Sequence, residues 1–213
     1  MTLSQVKVCG ITTIGDAEDC INAQADFLGF IFYKNSKRYI SFDNSKKITE
    51  KVNDKIKTVA VVVDPSDEDI IRINETRFSH IQLHGNESVE RVTEIKSFTN
   101  CKIIKAFGVN DLDDLQNIND YSDLVDMFLL DAKPQISEQP GGNARSFDWS
   151  ILKDFKPNKE YFLSGGLNPE NIEKAIKTVK TIFFDISSGV EKEPGLKDKE
   201  KVTRFIKLSK DYD

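Results

Sequence analysis

The chain has 213 residues, 38% hydrophobic and 31% charged, which suits a single domain with a sizeable core and excludes a disordered chain. Its 35 acidic residues outnumber 30 basic ones for a net charge of −5, so the balance gives no reason to expect nucleic acid as a partner, a local basic pocket aside. The longest aliphatic run, residues 59–63, is far too short to span a bilayer, and residues 1–8 carry no apolar signal-peptide core.

Short apolar runs rich in β-branched and aromatic residues then alternate with stretches of helical spacing. Residues 6–11 predict a first strand, followed by Ala17, Cys20, Ile21 and Gln24 or Ala25 on one helical stripe. Residues 27–32 predict the second strand and 44–52 its helix. Residues 58–63 predict the third, with helix-start residues Asp64-Pro65-Ser66-Asp67-Glu68 ahead of Ile70 and Ile71. Residues 80–83 predict the fourth, with Val89, Val92, Ile95 and Phe98 after it. Residues 102–107 predict the fifth, with Leu112, Leu115 and Ile118 at helical spacing. Residues 127–130 predict the sixth strand and 146–155 the helix behind it. Residues 161–163 predict the seventh. There Asn168-Pro169-Glu170 offers an N-cap, a proline at the first helical position and a first-turn acid before Ile172, Ala175, Ile176 and Val179. Residues 181–186 predict the eighth strand, and a last helix covers residues 198–208. Runs this short and apolar suit parallel strands buried on both faces, each covered by the apolar stripe of a helix.

Strand–helix alternation repeated eight times fits either a closed (β/α)8 barrel or an open doubly wound sheet. An open sheet binding a dinucleotide should carry G-x-G-x-x-G after its first strand, whereas this chain reads Cys9-Gly10-Ile11-Thr12. Units averaging roughly 27 residues suit a compact barrel. The expected fold is therefore α/β, one (β/α)8 TIM barrel over residues 1–213, with its chemistry at the C-terminal strand ends.

Strand side chains alternate faces. With Val6 and Val8 under helices, Lys7 and Cys9 point into the barrel, and the same parity groups Gln82 with His84. Asp131 closes the sixth strand and Asp185 stands near the end of the eighth. Each has a plainer reading: a cysteine is often a small buried hydrophobe, an aspartate at a strand end a cap or turn former, and His84 the filler of a polar corner. His80 belongs on the outer face or at a strand start and receives no role. Ser164-Gly165-Gly166-Leu167 and Ser187-Ser188-Gly189-Val190-Glu191 follow the seventh and eighth strands. These are the two loops where barrels often bind phosphate, because glycine lets backbone N–H groups approach closely; ordinary turns are the alternative. A phosphorylated small molecule is the expected ligand. Three cysteines without a C-x-x-C pair point to a reducing cytosol, and two histidines without a ligand cluster give no reason to expect a metal.

Together, Lys7-Val8-Cys9-Gly10-Ile11-Thr12, Gly29-Phe30-Ile31-Phe32, Ser36-Lys37-Arg38-Tyr39-Ile40, Gln82-Leu83-His84-Gly85, Leu129-Leu130-Asp131, Phe147-Asp148-Trp149, Leu163-Ser164-Gly165-Gly166-Leu167 and Asp185-Ile186-Ser187-Ser188-Gly189-Val190-Glu191, then Pro194-Gly195 and Lys197-Asp198, resemble the phosphoribosylanthranilate isomerases of tryptophan biosynthesis. The motifs come in that family's order and extend over residues 6–206. The resemblance implies a cytoplasmic TIM barrel, monomer or homodimer, performing a cofactor-free Amadori rearrangement of N-(5-phosphoribosyl)anthranilate to 1-(2-carboxyphenylamino)-1-deoxyribulose 5-phosphate. It places the general base on Cys9, the general acid on Asp131 and the anthranilate-carboxylate contact on Arg38. It places the phosphate cradle on Gly165, Gly166, Ser187, Ser188 and Gly189, and pocket-lining roles on Gln82, His84 and Asp185.

That chemistry asks for a raised Asp131 pKa and a lowered Cys9 pKa, with Lys7 either favouring the thiolate or serving structure alone. Arg38 suits a planar carboxylate, a surface salt bridge being the alternative. One departure is Gly141-Gly142-Asn143-Ala144-Arg145 where the family commonly reads Gly-Gly-Thr-Gly, which implies altered kinetics of that loop. The rival readings are another phosphosugar isomerase or epimerase barrel and a non-catalytic barrel that only binds a phosphorylated ligand.

Overall fold

The computed structural model describes residues 4–52, 54–133 and 146–212. Eight parallel strands close into a barrel in chain order: β1 (Gln5–Cys9), β2 (Phe27–Ile31), β3 (Lys57–Val62), β4 (His80–Leu83), β5 (Lys102–Val109), β6 (Met127–Ala132), β7 (Tyr161–Leu163) and β8 (Phe183–Ile186). Closure comes from β1 and β8, where Lys7 stands in register with Asp185. Helices α1 (Ile14–Asn22), α2 (Phe42–Val52), α3 (Asp67–Thr76), α4 (Val89–Phe98), α5 (Ile172–Thr178) and α6 (Lys199–Lys210) cover the outside. A short hairpin, β9 (Glu191–Glu193) with β10 (Leu196–Lys197), follows β8 at the C-terminal rim. No helix of the described residues is long and apolar enough to cross a membrane.

The alternation read from the sequence sets two apolar layers. Val6, Val8, Leu28, Phe30, Ile81 and Leu83 pack outward under the helices. Cys9, Phe27, Val59, Val61, Ile104, Ala106, Leu129 and Phe162 fill the barrel. At the N-terminal level Phe27, Phe162 and Phe183 meet edge to face, with Phe27 to Phe162 at 5.2 Å and Phe162 to Phe183 at 5.4 Å. His80, at the start of β4, joins them 5.4 Å from the Phe27 ring. Its place is the strand start, turned inward rather than onto the outer face. This aromatic plug closes the bottom of the barrel and leaves polar side chains at the top.

The predicted starts of α3 and α6 are met. Ser66 and Asp69 form a reciprocal capping box, and Asp198 accepts the N–H groups of Glu200 and Lys201. Three expectations fail locally. Behind β5 the stretch through Leu112, Leu115 and Ile118 is two 3-10 turns, Asp113–Leu115 and Ile118–Tyr121, rather than an α-helix. There Asp114 accepts the N–H of Asn110 at 2.8 Å and Asp111 that of Asp113 at 3.0 Å, so side chains replace the helical ladder. Behind β6 the predicted helix is one 3-10 turn, Trp149–Leu152, capped by Asp148 and followed closely by Pro157. Asn168 is not the N-cap of α5. Its carboxamide accepts from Glu170 N at 2.9 Å and builds a turn, and the helix begins at Ile172.

Candidate active site

Polar side chains converge where the strands end at the open mouth. One cavity is walled by Cys9 of β1, Arg38 of the loop after β2, Gln82 and His84 of the fourth unit, Asp131 of β6, Ser164 after β7, and Asp185 and Ser187 of the eighth unit. Ile31, Val61 and Val63 supply its apolar wall, and Tyr33 and Ser36 part of its rim. Cys9, Asp131, Arg38, Gln82, His84, Asp185 and Ser187 are thus brought together as the sequence predicts. Gly165, Gly166, Ser188 and Gly189 stand in the same two loops, beside that cavity rather than on its wall. The segment 141–145 lies outside the described residues.

Cys9 ends β1 with its backbone fixed by Ser187, whose hydroxyl donates to the Cys9 carbonyl at 3.0 Å. Its sulfur has room because the neighbouring strand carries glycine: a Cβ on Gly29 would lie 2.8 Å from Cys9 Sγ. Lys7, fully buried on the same strand face, donates to Asp185 Oδ1 at 2.9 Å. Burial disfavours the ammonium, but Asp185 and then Cys9 outweigh it and hold the Lys7 pKa above its ordinary value. Burial also pushes the Cys9 thiol up, and the pull of Lys7 only partly offsets it. The lowered thiol expected from the sequence is therefore corrected. Lys7 favours the thiolate, yet it shares its charge with Asp185, whose own effect on Cys9 is to raise the pKa further.

On the opposite wall, Asp131 closes β6 and accepts the N–H of Ala132 at 2.8 Å. His84 Nε2 stands 3.4 Å from Asp131 Oδ2, and His84 Nδ1 lies 2.6 Å from Gln82 Nε2. An amide N–H donating to Nδ1 leaves the ring proton on Nε2, aimed at Asp131. Gln82 Oε1 is buried without a partner. The loop after β7 also comes close, for a Cβ on Gly165, where φ is +87°, would lie 3.2 Å from Asp131 Oδ1.

Arg38 is 9% exposed and lies in a buried ion pair rather than a surface one. Nε and Nη2 donate to the two carboxylate oxygens of Glu191, each at 2.8 Å. This fork-on-fork contact uses one edge of the guanidinium and leaves the Nη1–Nη2 end for another acceptor. The loops after β7 and β8 pack directly on each other, since a Cβ on Gly189 would collide with the Leu167 carbonyl. Only a residue without a side chain permits that approach.

Sequence reasoning gave no role to Glu191, Lys197 or Ser164, although all three stand in the quoted motifs. Ser164 donates to Asp185 Oδ2 at 3.4 Å, and Lys197 to Glu191 Oε1 at 2.7 Å. Among the described residues no cluster of three or more metal-ligating side chains occurs.

A family model described as N-(5'phosphoribosyl)anthranilate (PRA) isomerase matches residues 6–208. The N-(5'-phosphoribosyl)anthranilate isomerase of Rhizobium rhizogenes is 42% identical over 203 residues, covering 94% of this chain and 91% of that protein. The crystal structure of phosphoribosyl anthranilate isomerase from Thermotoga maritima superposes with a TM-score of 0.88 at 36% identity, covering 98% of this chain and all of that one. A phosphoribosyl anthranilate isomerase in complex with reduced 1-(o-carboxyphenylamino)-1-deoxyribulose 5-phosphate superposes with a TM-score of 0.84 at 35% identity, with coverage of 98% and 100%. By sequence and by fold, this chain belongs to the N-(5'-phosphoribosyl)anthranilate isomerase family.

Proposed function

We propose that this protein isomerises N-(5-phosphoribosyl)anthranilate to 1-(2-carboxyphenylamino)-1-deoxyribulose 5-phosphate by general acid–base catalysis. The observation that carries the reading is that Cys9 and Asp131, from strands on opposite sides of the barrel, wall one cavity. Asp131 as carboxylic acid protonates the furanose ring oxygen while the amine nitrogen lone pair forms the iminium, breaking the ring C–O bond. The iminium acidifies the C2 hydrogen, which Cys9 thiolate removes to give the enolamine. Return of that proton to C1 by Cys9, and loss of the C2 hydroxyl proton to Asp131, yields the ketone and restores both groups. Gln82 and His84 orient Asp131, and Lys7 with Asp185 backs Cys9.

Arg38 takes the anthranilate carboxylate on the guanidinium end that Glu191 leaves open, so the pair presents a pre-oriented fork. The phosphate sits against the main chain of Gly165, Gly166, Ser187, Ser188 and Gly189, where two loops are held in contact. A base cysteine that must stay reduced, and Cys20 and Cys101 as further free cysteines, support a cytoplasmic location. Adding the purified protein to N-(5-phosphoribosyl)anthranilate and separating the products by chromatography tests the reading. Formation of the deoxyribulose product supports it, and unchanged substrate refutes it.

A further inference from the structure

Behind Arg38, one buried carboxylate is shared by two cations. Glu191, 7% exposed, receives the fork of Arg38 and also the Lys197 ammonium at 2.7 Å. Lys197 is 4% exposed, and it donates as well to the Ser187 carbonyl at 3.3 Å. Ser187 in turn donates to the carbonyl of Cys9, so the ammonium stands one residue away from the end of β1. One carboxylate thus faces two cations, while Lys7 is matched by Asp185. The other ionisable groups near Lys197 are Asp16 and Cys20 of α1: the Asp16 carboxyl accepts from the Lys197 backbone, and burial pushes the Cys20 thiol up to about 12. Burial lowers the Lys197 pKa, with Glu191 and then Cys9 opposing it. On the pocket side, the ionisable group next to the ammonium is Cys9, linked to it through Ser187.

We propose that Lys197, on the hairpin after β8, is a positioning residue that favours the thiolate of Cys9 and, through Glu191, ties that ionisation to the Arg38 fork. This deepens the reading of Cys9 as the base and rests on it. Lys7 on the same strand is already matched by Asp185, whereas Lys197 comes from outside the strand. The hairpin brings it from behind the rim, where it is held by Glu191 and stays clear of the substrate. A nearby opposite charge shifts an ionisation by about one pH unit or more.

The test is the acid limb of the kcat/KM pH profile, which reports ionisations of the free enzyme. Lys197→Gln retains hydrogen-bonding capacity toward Glu191 and Ser187 and removes the charge, Lys197→Met removes both, and Lys197→Arg keeps the charge. In the neutral variants the limb should move up by about one pH unit, cutting kcat/KM at neutral pH about tenfold, and the arginine variant should return it toward the wild-type position. Alkylation of Cys9 by iodoacetamide, mapped by mass spectrometry, should shift by the same amount. A limb and an alkylation profile that stay in place in a folded neutral variant overturn the proposal. So does a pair of neutral variants that never fold while the arginine variant does, which would assign the charge to stability. Inactive wild-type protein would instead refute the proposed isomerisation itself.

Discussion

Replacing Asp185 with asparagine probes the electrostatics of the site. Lys7 is completely buried and its ammonium meets Asp185 Oδ1 at 2.9 Å. Asparagine fits the same space and can still accept that hydrogen bond, so the change removes charge and little volume. Deleting one partner of a buried pair costs about 3–5 kcal/mol, and the retained hydrogen bond puts Asp185→Asn near the lower end. For a domain of this size each kcal/mol moves Tm by about 2–4 °C, so the variant should melt roughly 6–12 °C lower at pH 7. The Cys9 thiol, held up first by burial and also by Asp185, is then released toward ionisation by the unmatched Lys7. Its thiolate can replace the lost carboxylate, so the deficit against wild type should narrow as pH rises from about 7 to 9. Urea unfolding followed by circular dichroism at the two pH values reads both effects, and iodoacetamide alkylation of Cys9 should move to lower pH. A variant as stable as wild type at pH 7, within about 0.5 kcal/mol, would mean that Lys7 is not held charged by this carboxylate, and the reasoning fails.

Three further outcomes follow. Arg38→Lys cannot span Glu191 and an incoming carboxylate with one planar fork, so KM should rise by about tenfold or more with a smaller change in kcat, read from initial rates. His80 is pushed down to about 4, first by burial and then by Lys102 and Lys57. Its contribution is complete above the unfolded histidine value and is lost as pH falls toward the folded one, so about 2 kcal/mol should disappear between pH 7 and 5, and His80→Gln should flatten that loss in urea unfolding. Cys20 is pushed up to about 12 by burial. That stabilisation is present below the unfolded thiol pKa and fades as pH rises toward the folded value, so the unfolding midpoint of wild type should fall more steeply above about pH 9 than that of Cys20→Ala.

Much of the architecture was legible because period-two burial is written locally. Val6 and Val8 go outward and Lys7 and Cys9 inward in the chain as in the sequence pattern. The turns behind β5 escaped because Asp111 and Asp114 compete with the backbone ladder, an effect that apolar spacing does not register. At the site, the residues were legible and their partners were not. Arg38 meets Glu191 across 153 positions, and Lys7 meets Asp185 across 178. These contacts decide which edge of the guanidinium faces the pocket and which way the Cys9 pKa moves. Only closure of the barrel brings β1 beside β8 and the hairpin, so the lowered thiol that the implied chemistry asks for meets burial and Asp185, which raise it.

The acid–base pair is tested most directly by single-turnover and steady-state rates of Cys9→Ala and Asp131→Asn on N-(5-phosphoribosyl)anthranilate, with folding checked by circular dichroism. Each variant should lose at least about a hundredfold in kcat while remaining folded. Turnover near the wild-type rate in either one would remove that side chain from the chemistry and contradict the account.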